Sequence, residues 1–215
     1  QIRSGNAIFN GSITLGVVGN QTSSPRTADI VIESNGNVTF AAPLTLVIAG
    51  GTVADSSISS IVNSGAGTVT FQKRTAWYGA TNSSDATFPA SVSTAIVDNS
   101  GSGSLTFSAG ILLSHTSASG DAAATVEVAV LNSGRGRLSF GMPVDVVTRS
   151  VNGGVGIQQF SIAVVNNGGG TLEISGTIRS KLVNAAAGPL VGTVNITGAT
   201  FLGSLGASNG VLTNA

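Results

Sequence analysis

The sequence predicts an all-β fold, a parallel β-solenoid (β-helix) of about six coils. Three observations predict it. One motif recurs four times without a gap: NSGAGTVTF at 63–71, NSGSGSLTF at 99–107, NSGRGRLSF at 132–140 and NNGGGTLEI at 166–174. The motif returns at near-constant intervals: Phe71 to Phe107 is 36 residues, Phe107 to Phe140 is 33 and Phe140 to Ile174 is 34. A shortened copy, SNGNVTF at 34–40, extends the series, with 31 residues from Phe40 to Phe71. Finally, composition opposes helices. The chain holds 30 Gly, and Ser, Thr and Asn add 29, 22 and 16 residues. All four are poor helix formers. A period of this length, sustained four times, is the mark of stacked structural repeats.

Each coil is read from three segments. The apolar pair two apart, such as Val69 and Phe71 or Leu105 and Phe107, points to one side of a short strand. The Thr, Ser or Glu between them points to the other side. Upstream lies a β-branched segment, as in Ser60-Ile61-Val62, Ala95-Ile96-Val97, Val128-Ala129-Val130 and Ile162-Ala163-Val164. Between the two sits a sharp corner. Asn63, Asn99, Asn132 and Asn166 stand at its entry, where Asn tolerates left-handed geometry and can bond its own backbone. Gly65, Gly67, Gly101, Gly103, Gly134, Gly136, Gly168 and Gly170 supply either positive φ or close approach of backbone. Downstream comes a third extended segment, as in residues 43–48, 110–113 and 143–147. Stacked at about 4.8 Å, matched residues form ladders: Phe40, Phe71, Phe107, Phe140 and Ile174 inside, and the Asn residues at the corner. Weaker echoes of the motif are NGSITL at 10–15 and GTVNI at 192–196.

The competing architecture is an antiparallel β-sandwich with N-[SN]-G hairpin turns. Sandwiches rarely reuse one turn sequence at a fixed long period, whereas stacked coils do. The chain reads as a single solenoid domain over 1–215. Residues 1–29 form an N-terminal strand and edge region, 30–180 the regular repeats and 181–215 a C-terminal edge coil.

The motif resembles the autotransporter-associated β-strand repeats of large bacterial surface and secreted proteins. The residues that carry the resemblance are 67–71 (GTVTF), 103–110 (GSLTFSAG) and 170–176 (GTLEISG), and it covers 30–180. It implies a β-helical, extracellular, non-enzymatic stalk, passenger or filament protein. These residues carry no membrane β-barrel translocator, so they do not themselves indicate a secretion route.

Chemical signatures are sparse. The chain has no Cys, which removes disulfides and thiolate sites together. Its single histidine, His115, has no G-x-S-x-G elbow to serve. Repeat calcium loops need an Asp two residues after the last Gly, and those positions are Val69, Leu105, Leu138 and Leu172. Asp29, Asp55, Asp85, Asp98, Asp121 and Asp145 show no ligand spacing. The G-x-G pairs lack the G-K-[ST] of a phosphate loop. Asp145 and Glu173, in neighbouring repeats, fall at different offsets and do not make a glycan-cleaving pair. No metal, cofactor or catalytic residue is expected.

Nine cations balance nine anions, so a basic nucleic-acid footprint is absent. The longest apolar stretch, Leu44 to Ala49, is far too short for a helical bilayer span. Candidate partner contacts are Lys73, Arg74, Trp77 and Tyr78, the last two being the only Trp and Tyr, with Arg135 and Arg137 at an otherwise neutral corner. The expected partners are copies of the chain itself, joined through solenoid ends or terminal strands, with a glycan or host surface as the second possibility. The expected location is extracellular or at the cell surface.

Overall fold

The computed structural model describes residues 1–3, 5–18, 26–49, 57–80, 92–117, 125–150, 159–183, 190–202, 204–208 and 210–214. Its strands form three parallel sheets of seven strands each, so the architecture is a β-solenoid and the antiparallel sandwich is excluded. Sheet 1 holds β1 (Ala7–Phe9), β4 (Asn37–Phe40), β7 (Thr68–Phe71), β10 (Ser104–Phe107), β13 (Arg137–Phe140), β16 (Thr171–Ile174) and β19 (Thr200–Phe201). Sheet 2 holds β2 (Ile13–Val18), β5 (Leu44–Ala49), β8 (Thr75–Ala80), β11 (Ile111–Ser117), β14 (Val144–Ser150), β17 (Ile178–Val183) and β20 (Leu205–Ser208). Sheet 3 holds β3 (Arg26–Ile32), β6 (Ser57–Asn63), β9 (Val92–Asn99), β12 (Thr125–Asn132), β15 (Gln159–Asn166), β18 (Leu190–Thr197) and β21 (Gly210–Asn214).

One strand from each sheet makes a coil, and the described residues make seven coils rather than about six. The added coil lies at the ends, where the motif strand shrinks to Ala7–Phe9 and Thr200–Phe201 and loses its Asn-Ser-Gly corner. The two weaker echoes are not motif strands. NGSITL leads into β2 of sheet 2, and GTVNI lies within β18 of sheet 3. Both share only the alternation that any half-buried strand shows.

The inward rows of the three sheets meet in one core. Sheet 1 contributes Val38, Val69, Leu105, Leu138 and Leu172, each buried, beside the aromatic row. Phe9, Phe40, Phe71, Phe107 and Phe140 stack with ring centroids 4.9, 4.4, 4.7 and 5.0 Å apart. That separation matches the spacing of hydrogen-bonded strands, so rings and backbone share one repeat. Ile174 continues the row in β16.

The corners show why glycine recurs. None of the eight motif glycines has a positive φ; the described glycines that do are Gly5, Gly110, Gly169 and Gly198. Close approach is the reason instead. A Cβ on Gly103 would strike the carbonyl oxygen of Gly67 one coil before, and one on Gly136 would strike that of Gly103. Backbone bonds run straight through the corner, with Ser104 N donating to Gly67 O at 3.0 Å and Arg137 N to Gly103 O at 3.1 Å. A side chain there would separate the coils.

Candidate functional site

The described residues offer no enclosed catalytic constellation, and among them no three His, Cys, Asp or Glu side chains gather where a metal could bind. The features with chemical potential are the corner ladder, the two ends and the outer faces.

The corner asparagines turn inward and bond from coil to coil. Asn63 Nδ2 donates to Asn99 Oδ1 at 2.8 Å, Asn99 Nδ2 to Asn132 Oδ1 at 3.0 Å, and Asn132 Nδ2 to Asn166 Oδ1 at 2.9 Å. The amides of Asn99, Asn132 and Asn166 also reach the carbonyl four residues on, at Gly103, Gly136 and Gly170. Their work is therefore to clamp coils together, beyond the local turn role read from sequence. The ladder closes at its far end on the Gly198 carbonyl, 3.0 Å from Asn166 Nδ2. At its near end the matching residue of β3 is Ile32, and Asn63 Oδ1 is left without a donor.

The contact candidates divide. Trp77 belongs in the core and is corrected here as a surface contact. It stands in the inward row of sheet 2 between Leu46 and Leu113, only 4% exposed, with its Nε1 unpartnered. Tyr78, one residue on, faces outward between Val47 and Ser114 and is 42% exposed. Lys73 and Arg135 are exposed at corners. Arg137 pairs with Glu173 of the next coil at 2.9 Å. Arg74 joins a network that sequence spacing does not reveal. It and Arg179 both bind Asp145, the latter through Nε at 2.7 Å and a second nitrogen at 3.0 Å. Asp145 holds the Arg179 guanidinium above its ordinary pKa, chiefly through the hydrogen bond. These groups come from different coils and meet only because β8, β11, β14 and β17 lie side by side. His115 is in β11, register partner of Gly79 and Thr148. Asp55, Asp85 and Asp121 lie outside the described residues.

The end coils expose large apolar side chains, of which Leu15 belongs to an inward row and Ile8 to the outward row of Thr39. Ile8 in β1 is 68% exposed, Leu15 in β2 36% and Leu202, just past β19, 68%. Leu15 shares an inward row with Leu46, which is fully buried one coil further in. Ile2 pairs with Ile32, covering the last part of the β3 edge. No family model, curated protein or solved structure matches this chain.

Proposed function

We propose that the chain is a non-enzymatic structural protein of the bacterial cell surface or extracellular space. It assembles end to end with copies of itself into a filament, or forms one segment of a longer rod. The observation that carries this reading is the exposure of a core row at the end coil. Leu15 stands in register with buried Leu46, and a further coil stacked on β2 would bury it as Leu46 is buried. Both ends present parallel strand edges, β1, β2 and the part of β3 that Ile2 leaves open at one and β19, β20 and β21 at the other. Such edges are templates for another strand. The last coil is built to the same plan as the first, with Phe201 in register with Ile174 as Phe9 is with Phe40. The low-charge, Ser/Thr/Gly-rich motif and its resemblance to bacterial surface repeats support the location.

The test is sedimentation velocity across a dilution series, paired with negative-stain microscopy. Concentration-dependent rods are expected, and Leu15→Lys should shorten them by charging the end. A monomer at every concentration would sink the filament reading. A second reading, an adhesin or carbohydrate-binding module, is favoured by exposed Tyr78 on the face that carries Arg74 and Arg179. Under it, Tyr78→Ala removes binding to a glycan array while leaving the unfolding midpoint unchanged.

A further inference from the structure

Sheet 3 carries apolar side chains on both of its faces. Its inward rows supply Ile30, Ile61, Val97, Val130 and Val164 to the core. Its outward rows are apolar in part. The register aligns Val31, Val62, Asp98, Leu131 and Val165 in one half-buried row; the next runs Asp29, Ser60, Ile96, Ala129, Ala163 and Asn195, apolar and half-buried over its middle three. Sheet 1 is different, presenting Thr39, Thr70, Thr106 and Ser139 outward. Parallel strands that run apolar on both sides belong to sheets covered on both sides. Isolated surface Val or Leu residues need no account, but an aligned row of them with Ile96, Ala129 and Ala163 beside it does.

The charges say what covers this face. The charged residues of its outward rows are Asp29, Asp98 and Glu127, all acidic. The outward face of sheet 2 has the opposite balance. Arg74 and Arg179 share the single carboxylate of Asp145, and exposed Lys73 precedes Arg74. That face carries apolar side chains of its own: Val47 beside Tyr78, Val147 beyond Ser114 in the same row, and Leu112 in the next row, all three half-buried. Both faces repeat at the same strand spacing, so the side-chain rows of one can seat between the rows of the other.

We propose that the outward face of sheet 3 docks on the outward face of sheet 2 of a second copy, joining rods side by side. The contact uses two different patches, so it is heterologous and leaves one of each free to continue. It is lateral and independent of end-to-end stacking.

The cysteine-free chain permits a direct test. Ala163→Cys places a thiol on the sheet 3 face and Ser114→Cys one on the sheet 2 face. Mixed and treated with a short bis-maleimide, the two variants should yield the mixed dimer at least tenfold above either homodimer. Adding Arg74→Glu and Arg179→Glu to the Ser114→Cys chain should lower that yield about tenfold. Adding Asp29→Lys and Glu127→Lys to its partner should restore it. Circular dichroism on each variant confirms that the coil remains. Equal homodimers, no cross-link, or a yield unmoved by the charge reversals would overturn the proposal. Performed with Leu15→Lys in both chains, the cross-link should persist while long rods are lost, which separates failure of lateral docking from failure of end stacking.

Discussion

The asparagine ladder makes one substitution milder than the same substitution one coil away. Asn99→Val removes the acceptor for Asn63 Nδ2 and the donor to Asn132 Oδ1. The Gly103 carbonyl also loses a donor, but it keeps Arg137 N. Two buried amide groups are thus newly orphaned, each costing about 1–3 kcal/mol. Asn63→Val differs because Asn63 sits at the ladder's near end and its Oδ1 is already unpaired. Removing it orphans Asn99 Oδ1 but deletes the orphan on Asn63, so the number stays at one. The ladder simply begins one coil later, as it already begins after Ile32. The cost of fitting valine where asparagine stood is common to both and cancels in the difference. Asn99→Val should therefore lose at least about 2 kcal/mol more than Asn63→Val. Urea unfolding read by Trp77 fluorescence and by far-ultraviolet circular dichroism measures it, with equal m-values as the check on shared cooperativity. Equal losses for the two variants would refute the ladder as a load shared between coils.

Other substitutions test the core and the corner. Thr75→Val should stabilise by about 1 kcal/mol, because the Thr75 hydroxyl is buried without a partner and stands in a row with Leu44 and Ile111. The urea midpoint should rise; a fall would mean the hydroxyl is satisfied. Gly103→Ala should cost more than about 2 kcal/mol, since its methyl would meet the Gly67 carbonyl rather than a yielding side chain. Gly141→Ala, with open space at the Cβ, is the control and should stay within about 0.5 kcal/mol on the same urea curve. Phe107→Ala, with stacked rings on either side, should lose about 3–5 kcal/mol, and Phe107→Leu clearly less.

Much of the fold is legible in the sequence because each motif states a whole unit: strand, corner, strand. The periodic Phe and Asn positions identify the ladders, since only stacking gives residues so far apart one shared environment. What is not legible depends on contact between coils. Trp77 and Tyr78 are adjacent and chemically alike, and only the register with Leu46 and Leu113 decides which is buried. Thr75 looks like a surface residue until its row is seen to be aliphatic. The corner glycines permit two explanations in sequence, backbone freedom or close approach, and the position of the preceding coil's carbonyl selects the second. Asp145 joins two arginines far from it along the chain, one before and one after it, and no local spacing announces that.

The scarcity of charge acquires its cause at this level. Only 8% of residues are charged, against about 25% in an average domain. In a parallel, in-register stack every outward side chain has neighbours above and below at the strand spacing, and like charges so placed repel. The register pairs of the described strands respect this. Asp145 and Arg179 are the only two charged residues placed directly opposite each other, and they attract. Arg137 faces Thr171 and Ser104, and reaches Glu173 diagonally. Asp29 faces Ser60, and Glu127 faces Thr94 and Ser161. Charge is therefore admitted singly or in opposite pairs, and uncharged Thr, Ser and Asn fill the remaining rows. The same rule acts on the proposed assembly: a copy stacked on the end coil must match row for row, so a single lysine at Leu15 is enough to oppose it.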